Sequence, residues 1–347
     1  MIQNFKLKIF GFIPPPYGGL SIHIFRLLDF LNEQNVEYDY YNCNPNFSKA
    51  FFKLFFDCLN FKKEIIHLHE LLAYKQQIML LFLIVVFNKR VILTIHNNRF
   101  KDKYQKLPFL KRLIFKKYVS AVHKIIAVNS DSDFDFINKK NIVHIPAYIA
   151  PIYKELNISL LPKTIAELRG KHKILLTANA SRLAFYKNQD LYGLDMSIQL
   201  VKFLNDSGVK DFCFIFILTA VTDENYYCLL RQRIQDYEID EHMVIINESI
   251  SYPALLSISD IFLRPTNTDG YSLSVSEALS LKKIVIASDV CPRPTGTILF
   301  KTRDQDDLNR TVKDVVDNLE LYKDKAKDMI HENYAEKLLL FYNSIGM

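Results

Sequence analysis

Short apolar, β-branched runs separated by helix-length amphipathic segments recur along this chain, and that rhythm constrains its fold more than any other feature. In the first half, Leu7 to Phe12, Ile65 to Leu68, Val91 to Ile95 and Ile125 to Val128 read as buried strands. Strands alternating with helices imply βαβ units and a parallel sheet. The rhythm pauses between about Ala147 and Gly170, where Pro146, Pro151 and Pro162 interrupt a polar stretch, and restarts at Lys173. Phe212 to Leu218, Val244 to Ile246, Ile261 to Leu263 and Ile284 to Ala287 continue it. The fold class expected is α/β, with two Rossmann-like doubly wound domains of similar size. They are expected at 1–150 and 171–330, with a linker at 151–170 and a helical tail at 331–347 packing back on the first domain. With 347 residues and 49% hydrophobic content, the chain is long enough to bury two cores.

The five cysteines, Cys43, Cys58, Cys213, Cys228 and Cys291, are scattered and match neither a zinc site nor a disulfide framework, so a reducing compartment is expected. The start lacks the basic, apolar and small-residue order of a secretory signal, and a cytoplasmic location is expected. The longest apolar run, Ile78 to Phe87, has about half the ~20 residues of a spanning helix and is read as a buried helix.

Net charge is +6, so its distribution matters more than its size. From Arg99 to Lys124 basic and apolar residues alternate, and Asp102 is the only acid. Two readings stay open for this segment. One is a solvated helix face over a core stripe; the other is peripheral docking on an anionic membrane leaflet, where each basic residue contributes about 1 kcal/mol. A nucleic-acid partner is not expected.

The chain has nine glycines, and two of them, Gly18 and Gly19, stand together between the first strand and an apolar helical pattern at Leu20, Ile24, Leu27 and Leu31. Backbone amides at a helix start suit a phosphate, and glycines let it approach. A tight turn needing positive φ is the alternative reading of the pair. The spacing does not fit the dinucleotide fingerprint. His67-Leu68-His69-Glu70 is not a metalloprotease motif and has no third ligand near in sequence, so it reads as a strand end. Asp131-Ser132-Asp133 reads as a helix start capped by Ser130 or Asp131.

The second half carries the most specific cluster. Arg264-Pro265-Thr266-Asn267-Thr268-Asp269-Gly270-Tyr271-Ser272-Leu273 leads into a helix containing Glu277, so that two acids flank a strand-to-helix turn. Here the chain resembles retaining glycosyltransferase family 4, of GT-B architecture, whose hallmark is Glu-Gly-Phe-Gly-x-x-x-x-Glu. Gly18-Gly19 with His23, Thr94-Ile95-His96-Asn97, and Arg182 five residues before Lys187 follow the same order of landmarks. Thr268-Asp269-Gly270 with Cys291-Pro292-Arg293-Pro294-Thr295-Gly296 resembles the branch found in capsule and O-antigen clusters.

The resemblance implies two domains facing a central cleft and a transfer from a nucleotide-sugar donor to a glycan acceptor carried on a lipid pyrophosphate. It implies no cofactor beyond that co-substrate, and no metal. His96, Asp269, Arg182 and Lys187 would be catalytic; Gly18, Gly19, Gly270, Tyr271, Ser272, Leu273 and Glu277 would bind donor. A carboxylate at Glu277 suits vicinal ribose hydroxyls because its two oxygens accept both hydrogen bonds. The cations would offset charge growing on the departing diphosphate. The chain departs from the family pattern at Asp269 for Glu, Ser272 for Gly and Ser181 for Gly, and its 187–195 segment is longer. A nucleotide-sugar epimerase, or an inactive sugar-nucleotide-binding or membrane scaffold, are the alternative readings.

Overall fold

The computed structural model describes residues 5–15, 18–69, 72–96, 104–128, 141–270, 272–329 and 334–346. The chain divides into two compact units, one formed by Met1–Ile149 with Asn333–Met347 and the other by Ala150–Glu332.

In the first unit β1 (Lys6–Gly11), α1 (Gly19–Glu33), β2 (Tyr38–Asn42), α2 (Phe47–Asp57), β3 (Glu64–Leu68), α3 (Tyr74–Phe87), β4 (Arg90–Ile95), α4 (Phe109–Ala121), β5 (Lys124–Ala127) and β6 (Ile142–His144) follow in order. The six strands form one parallel sheet ordered β2-β1-β3-β4-β5-β6. Period-two alternation sends Leu7, Ile9 and Ile65 to one face and Phe10, Ile66 and Leu68 to the other. The first face packs on Leu27 and Leu31 of α1 and on Leu338 and Tyr342 of the C-terminal helix Tyr334–Gly346. The second packs on Phe51 and Leu54 of α2, Leu80 and Leu83 of α3, and Phe115 and Tyr118 of α4.

The second unit begins with two short 3₁₀ turns at Tyr153–Leu156 and Ile158–Leu160 and with α5 (Lys163–Lys171). The stretch expected as a linker is therefore structured, and Ile165 is buried against Leu175 and Leu255. Then come β7 (Ile174–Ala180), the hairpin β8 (Phe185–Tyr186) and β9 (Gln189–Asp190), α6 (Leu194–Asp206), β10 (Phe212–Leu218), α7 (Glu224–Asp236), β11 (Met243–Ile246), α8 (Tyr252–Ile258), β12 (Ile261–Arg264), α9 (Leu273–Ser280), β13 (Ile284–Ser288), β14 (Ile298–Phe300), α10 (Gln305–Asp317) and α11 (Leu319–Asp328). The large sheet is parallel and ordered β11-β10-β7-β12-β13-β14. Phe212, Phe214 and Phe216 face α6, α7 and α10, while Cys213 and Ile215 face α5 and α8.

Both sheets reverse strand order once, between β1 and β3 in the first unit and between β7 and β12 in the second. Carboxyl ends of strands at such a reversal are where doubly wound sheets hold ligands. One glycine serves this arrangement in the second unit. Gly193 has φ +71, and a Cβ there would stand 2.3 Å from the Pro265 carbonyl oxygen, so it lets the start of α6 press on the loop after β12.

The nine buried segments expected as strands are present. β2, β6 and β14 were not expected, and all three are edge strands. The buried reading of Ile78 to Phe87 is corrected: Leu80 and Leu83 are buried, but Ile78, Phe82, Val85 and Val86 are exposed. Among the described residues, no helix is long and apolar enough to cross a membrane.

Candidate active site

Residues at the carboxyl edge of each sheet form two clusters. In the first unit, Gly18 precedes α1 with φ −174, an extended conformation open to any residue, and nothing lies within 4 Å of where its Cβ would be. Positive φ is therefore not what places glycine here. Gly18 N–H donates to Ser21 Oγ at 3.0 Å, and Gly18 and Gly19 are both exposed beside the start of α1.

His69 and His96 each follow the last residue of a strand, β3 and β4, and His23 lies in the second turn of α1. His69 Nδ1 and His96 Nε2 are 3.2 Å apart, and one nitrogen from each of His23, His69 and His96 falls within 4.8 Å of the others. These three are the described residues that could hold a metal, and the chain separation of 46 and 27 residues hid their convergence from sequence reading. His23 Nδ1 lies 2.7 Å from the Ala147 carbonyl oxygen, which only accepts, so Nδ1 carries the proton and Nε2 the lone pair. Behind them, His67 bridges Tyr342 Oη and Thr94 Oγ1, both at 2.6 Å. His69 Nε2 is buried without a hydrogen-bond partner among the described residues.

Burial is the main force on these imidazoles. It lowers His23 to about 4, aided by the charge of Arg26 and opposed by the Ala147 hydrogen bond, and His67 to about 3. His69 and His96 are also held well below the ordinary value, first by burial and then by their neighbours. An unfolded imidazole takes its proton near pH 6.5, so these groups favour folding above that pH and the contribution is lost as pH falls toward 4 and 3. On the order of 3 kcal/mol is at stake for His23 alone. Acidification from pH 7 to 4 is expected to open β3 and β4 before the second unit loosens. Hydrogen exchange, corrected for intrinsic rates, checks this; unchanged protection at pH 4 would contradict it.

In the second unit the elements after β7 and β12 meet. Arg182 is exposed, two residues beyond β7. Lys187 and Asn188 form the two-residue turn of the β8–β9 hairpin, both with positive φ, and Lys187 Nζ lies 5.4 Å from the centre of the Tyr186 ring. Asn267 ties this hairpin to the loop after β12, donating through Nδ2 to the Tyr186 carbonyl at 3.1 Å. Gly270 is exposed with open space beside it, Ser272 is the N-cap residue of α9, and Leu273 opens the helix. The first-turn amides of α9 have no helical carbonyl to bond, which leaves a positive dipole end at this edge. Glu277 is buried one turn further in. Tyr271, Asn97 and Asp131-Ser132-Asp133 lie outside the described residues, as does Glu70.

Asp269 is a hub. Its carboxylate accepts from Arg264 Nε at 3.0 Å and NH2 at 3.3 Å, from Arg293 NH1 at 2.9 Å, and from the Gly270 amide at 3.1 Å. Burial alone would raise its pKa, but Arg264 and then Arg293 outweigh it and hold the carboxyl below the ordinary range. Arg293 also donates to Thr266 Oγ1 and to the Ser288 carbonyl. The role of Arg293 was not legible in sequence, because a guanidinium 24 residues from its partner leaves no spacing signal.

Residues 167–335, nearly all of them in the second unit, match the model of the family described as glycosyl transferases group 1. No curated protein matches the sequence. Among solved structures, a glycosyltransferase from Rickettsia africae is similar at 14% identity and TM-score 0.66, with 99% of each chain covered. HepE of Anabaena in complex with UDP is similar at 12% identity and TM-score 0.62, covering 96% of this chain and 94% of that one. A sucrose-phosphate synthase from Thermosynechococcus elongatus gives 12% identity and TM-score 0.63, covering 98% and 99%. At these identities the likeness is one of fold: two parallel-sheet Rossmann-like domains as in GT-B structures.

Proposed function

We propose that this chain is a retaining glycosyltransferase that moves a sugar from a nucleoside-diphosphate sugar to a lipid-pyrophosphate-linked glycan acceptor, in the synthesis of a surface polysaccharide such as capsule or O-antigen. The observation that carries the reading is that, within the matched stretch, exposed Arg182 follows β7 and the helix start with buried Glu277 follows β12, at the carboxyl ends of two neighbouring strands where the order reverses. A cation, a helix start and a carboxylate there suit a phosphate next to a ribose. UDP-sugars are the donors to test first, because HepE was solved with UDP-glucose.

In this reading the second unit binds the donor and the first unit the acceptor. The acceptor hydroxyl oxygen bonds to the sugar's anomeric carbon as the bond from that carbon to the diphosphate breaks, on the same face. The hydroxyl proton passes to the departing phosphate oxygen, so no protein nucleophile is required. Arg182 and Lys187, with the helix amides, stabilise charge developing on the diphosphate. His96, beside His69 and kept neutral by burial, offers a hydrogen bond on the acceptor side rather than a charge. Asp269, gripped by two arginines, shapes the loop that carries Gly270 to Leu273.

Thermal shift over a panel of nucleotide sugars tests this. A donor at about 100 times its dissociation constant is expected to stabilise the chain by about 2.7 kcal/mol. That donor should be consumed with an acceptor and unchanged without one; conversion of donor alone would mean epimerisation. No shift with any nucleotide sugar would overturn the reading.

A further inference from the structure

The three helices on one face of the first unit's sheet are apolar on their outward sides, where a solvated helix is normally polar. α2 exposes Phe52 and Phe56, and the turn after it Leu59 and Phe61. α3 exposes Ile78, Phe82, Val85 and Val86, and α4 exposes Phe109, Leu110 and Leu113. These are eleven of the twenty exposed large apolar side chains among the described residues, so they form a patch rather than a scatter. Phe61 is 81% exposed, Val85 76% and Phe109 75%.

The patch is continuous. α3 packs beside both α2 and α4, and ring centres run from Phe55 to Phe82 at 6.4 Å, Phe82 to Phe87 at 5.8 Å and Phe87 to Phe61 at 5.0 Å. Its charge is one-sided. Lys49, Lys53, Lys62 and Lys63 are exposed around α2, Lys75 on α3, Lys106 just before α4, and Lys111, Lys116 and Lys117 along it. Asp57 is the one acid within 47–63, 74–88 and 104–121.

We propose that the outer faces of α2, α3 and α4 insert shallowly into an anionic lipid bilayer. Phenylalanine and aliphatic side chains enter below the headgroups while flexible lysine stems carry their ammonium groups to the lipid phosphates. A second copy of the chain fits less well, because pairing this face with itself would bring nine exposed lysines against nine. The apolar anchor thus lies largely on α2 and α3, outside the basic segment 99–124. The inference rests on this face alone and stands whether or not the chain transfers sugar.

Flotation of the full chain with vesicles tests it, using phosphatidylcholine alone and the same lipid with phosphatidylglycerol. The chain is expected to float with the anionic vesicles and much less with the zwitterionic ones. The triple variant Phe56→Ser, Phe61→Ser, Val85→Ser is expected to weaken partitioning about tenfold or more, the equivalent of about 1.4 kcal/mol. Its melting should be unchanged, since all three side chains are exposed. Leu229→Ser with Leu321→Ser, exposed in the second unit, should float like wild type. Wild type failing to float with anionic vesicles, or the triple variant floating equally well, would overturn the proposal. So would concentration-dependent dimerisation that the same variant abolishes, which would assign the face to a second copy.

Discussion

Alanine in place of Arg182 is expected to lower kcat/KM for sugar transfer by about 10² to 10³ while leaving the fold intact. Arg182 is exposed, so its truncation should change stability by no more than about 0.5 kcal/mol. The loss would therefore report on charge stabilisation in the transition state. Glu277→Gln keeps the shape of a buried side chain but removes a carboxylate oxygen, so it should weaken the nucleotide more than it slows the bound complex. Steady-state kinetics beside a melting curve checks both. Wild-type rates in Arg182→Ala would mean the cation is not at the diphosphate.

Asp269→Ala is expected to fail for a different reason. It strips the counter-charge from Arg264 and Arg293, whose side chains are 12% and 2% exposed, and leaves two guanidinium groups near the interior unpaired. Removing one partner of such a buried network costs about 3–5 kcal/mol, a large part of the stability of one domain. Urea denaturation should show that loss, and an inactive variant with unchanged stability would instead return Asp269 to the chemistry. The pH sign follows from the same geometry. Because the two arginines hold the folded carboxyl below the ordinary value of about 3.9, its contribution is complete above that pH and is lost as pH falls below it. Acid should thus act on the first unit through its histidines at milder pH, and on this network only later.

The central strands were legible because burial on both faces makes them near-continuous apolar runs, as in Phe212 to Leu218. Three of the four edge strands of the large sheets, β2, β6 and β14, were not. β2 reads Tyr-Asp-Tyr-Tyr-Asn, polar because one side meets water, and β6 and β14 have three residues each. Helix α3 misled in the opposite direction: apolar over most of its length, it imitates a buried helix, yet Ile78, Phe82, Val85 and Val86 are exposed.

For the site, local motifs carried what is local. Gly270, Ser272, Leu273 and Glu277 occupy the strand-to-helix turn that their spacing implied. Convergence across the sheet was not readable, because His23, His69 and His96 meet only through the order β1-β3-β4. The grip of Arg293 on Asp269 likewise depends on β13 lying beside β12.

The central claim is that the β7–β12 reversal holds a nucleoside diphosphate. A crystal structure of the chain with the donor that stabilises it most tests this directly. The expected result is the diphosphate against Arg182 and the first amides of α9, with the ribose hydroxyls on Glu277. A nucleotide bound away from these residues would contradict the account.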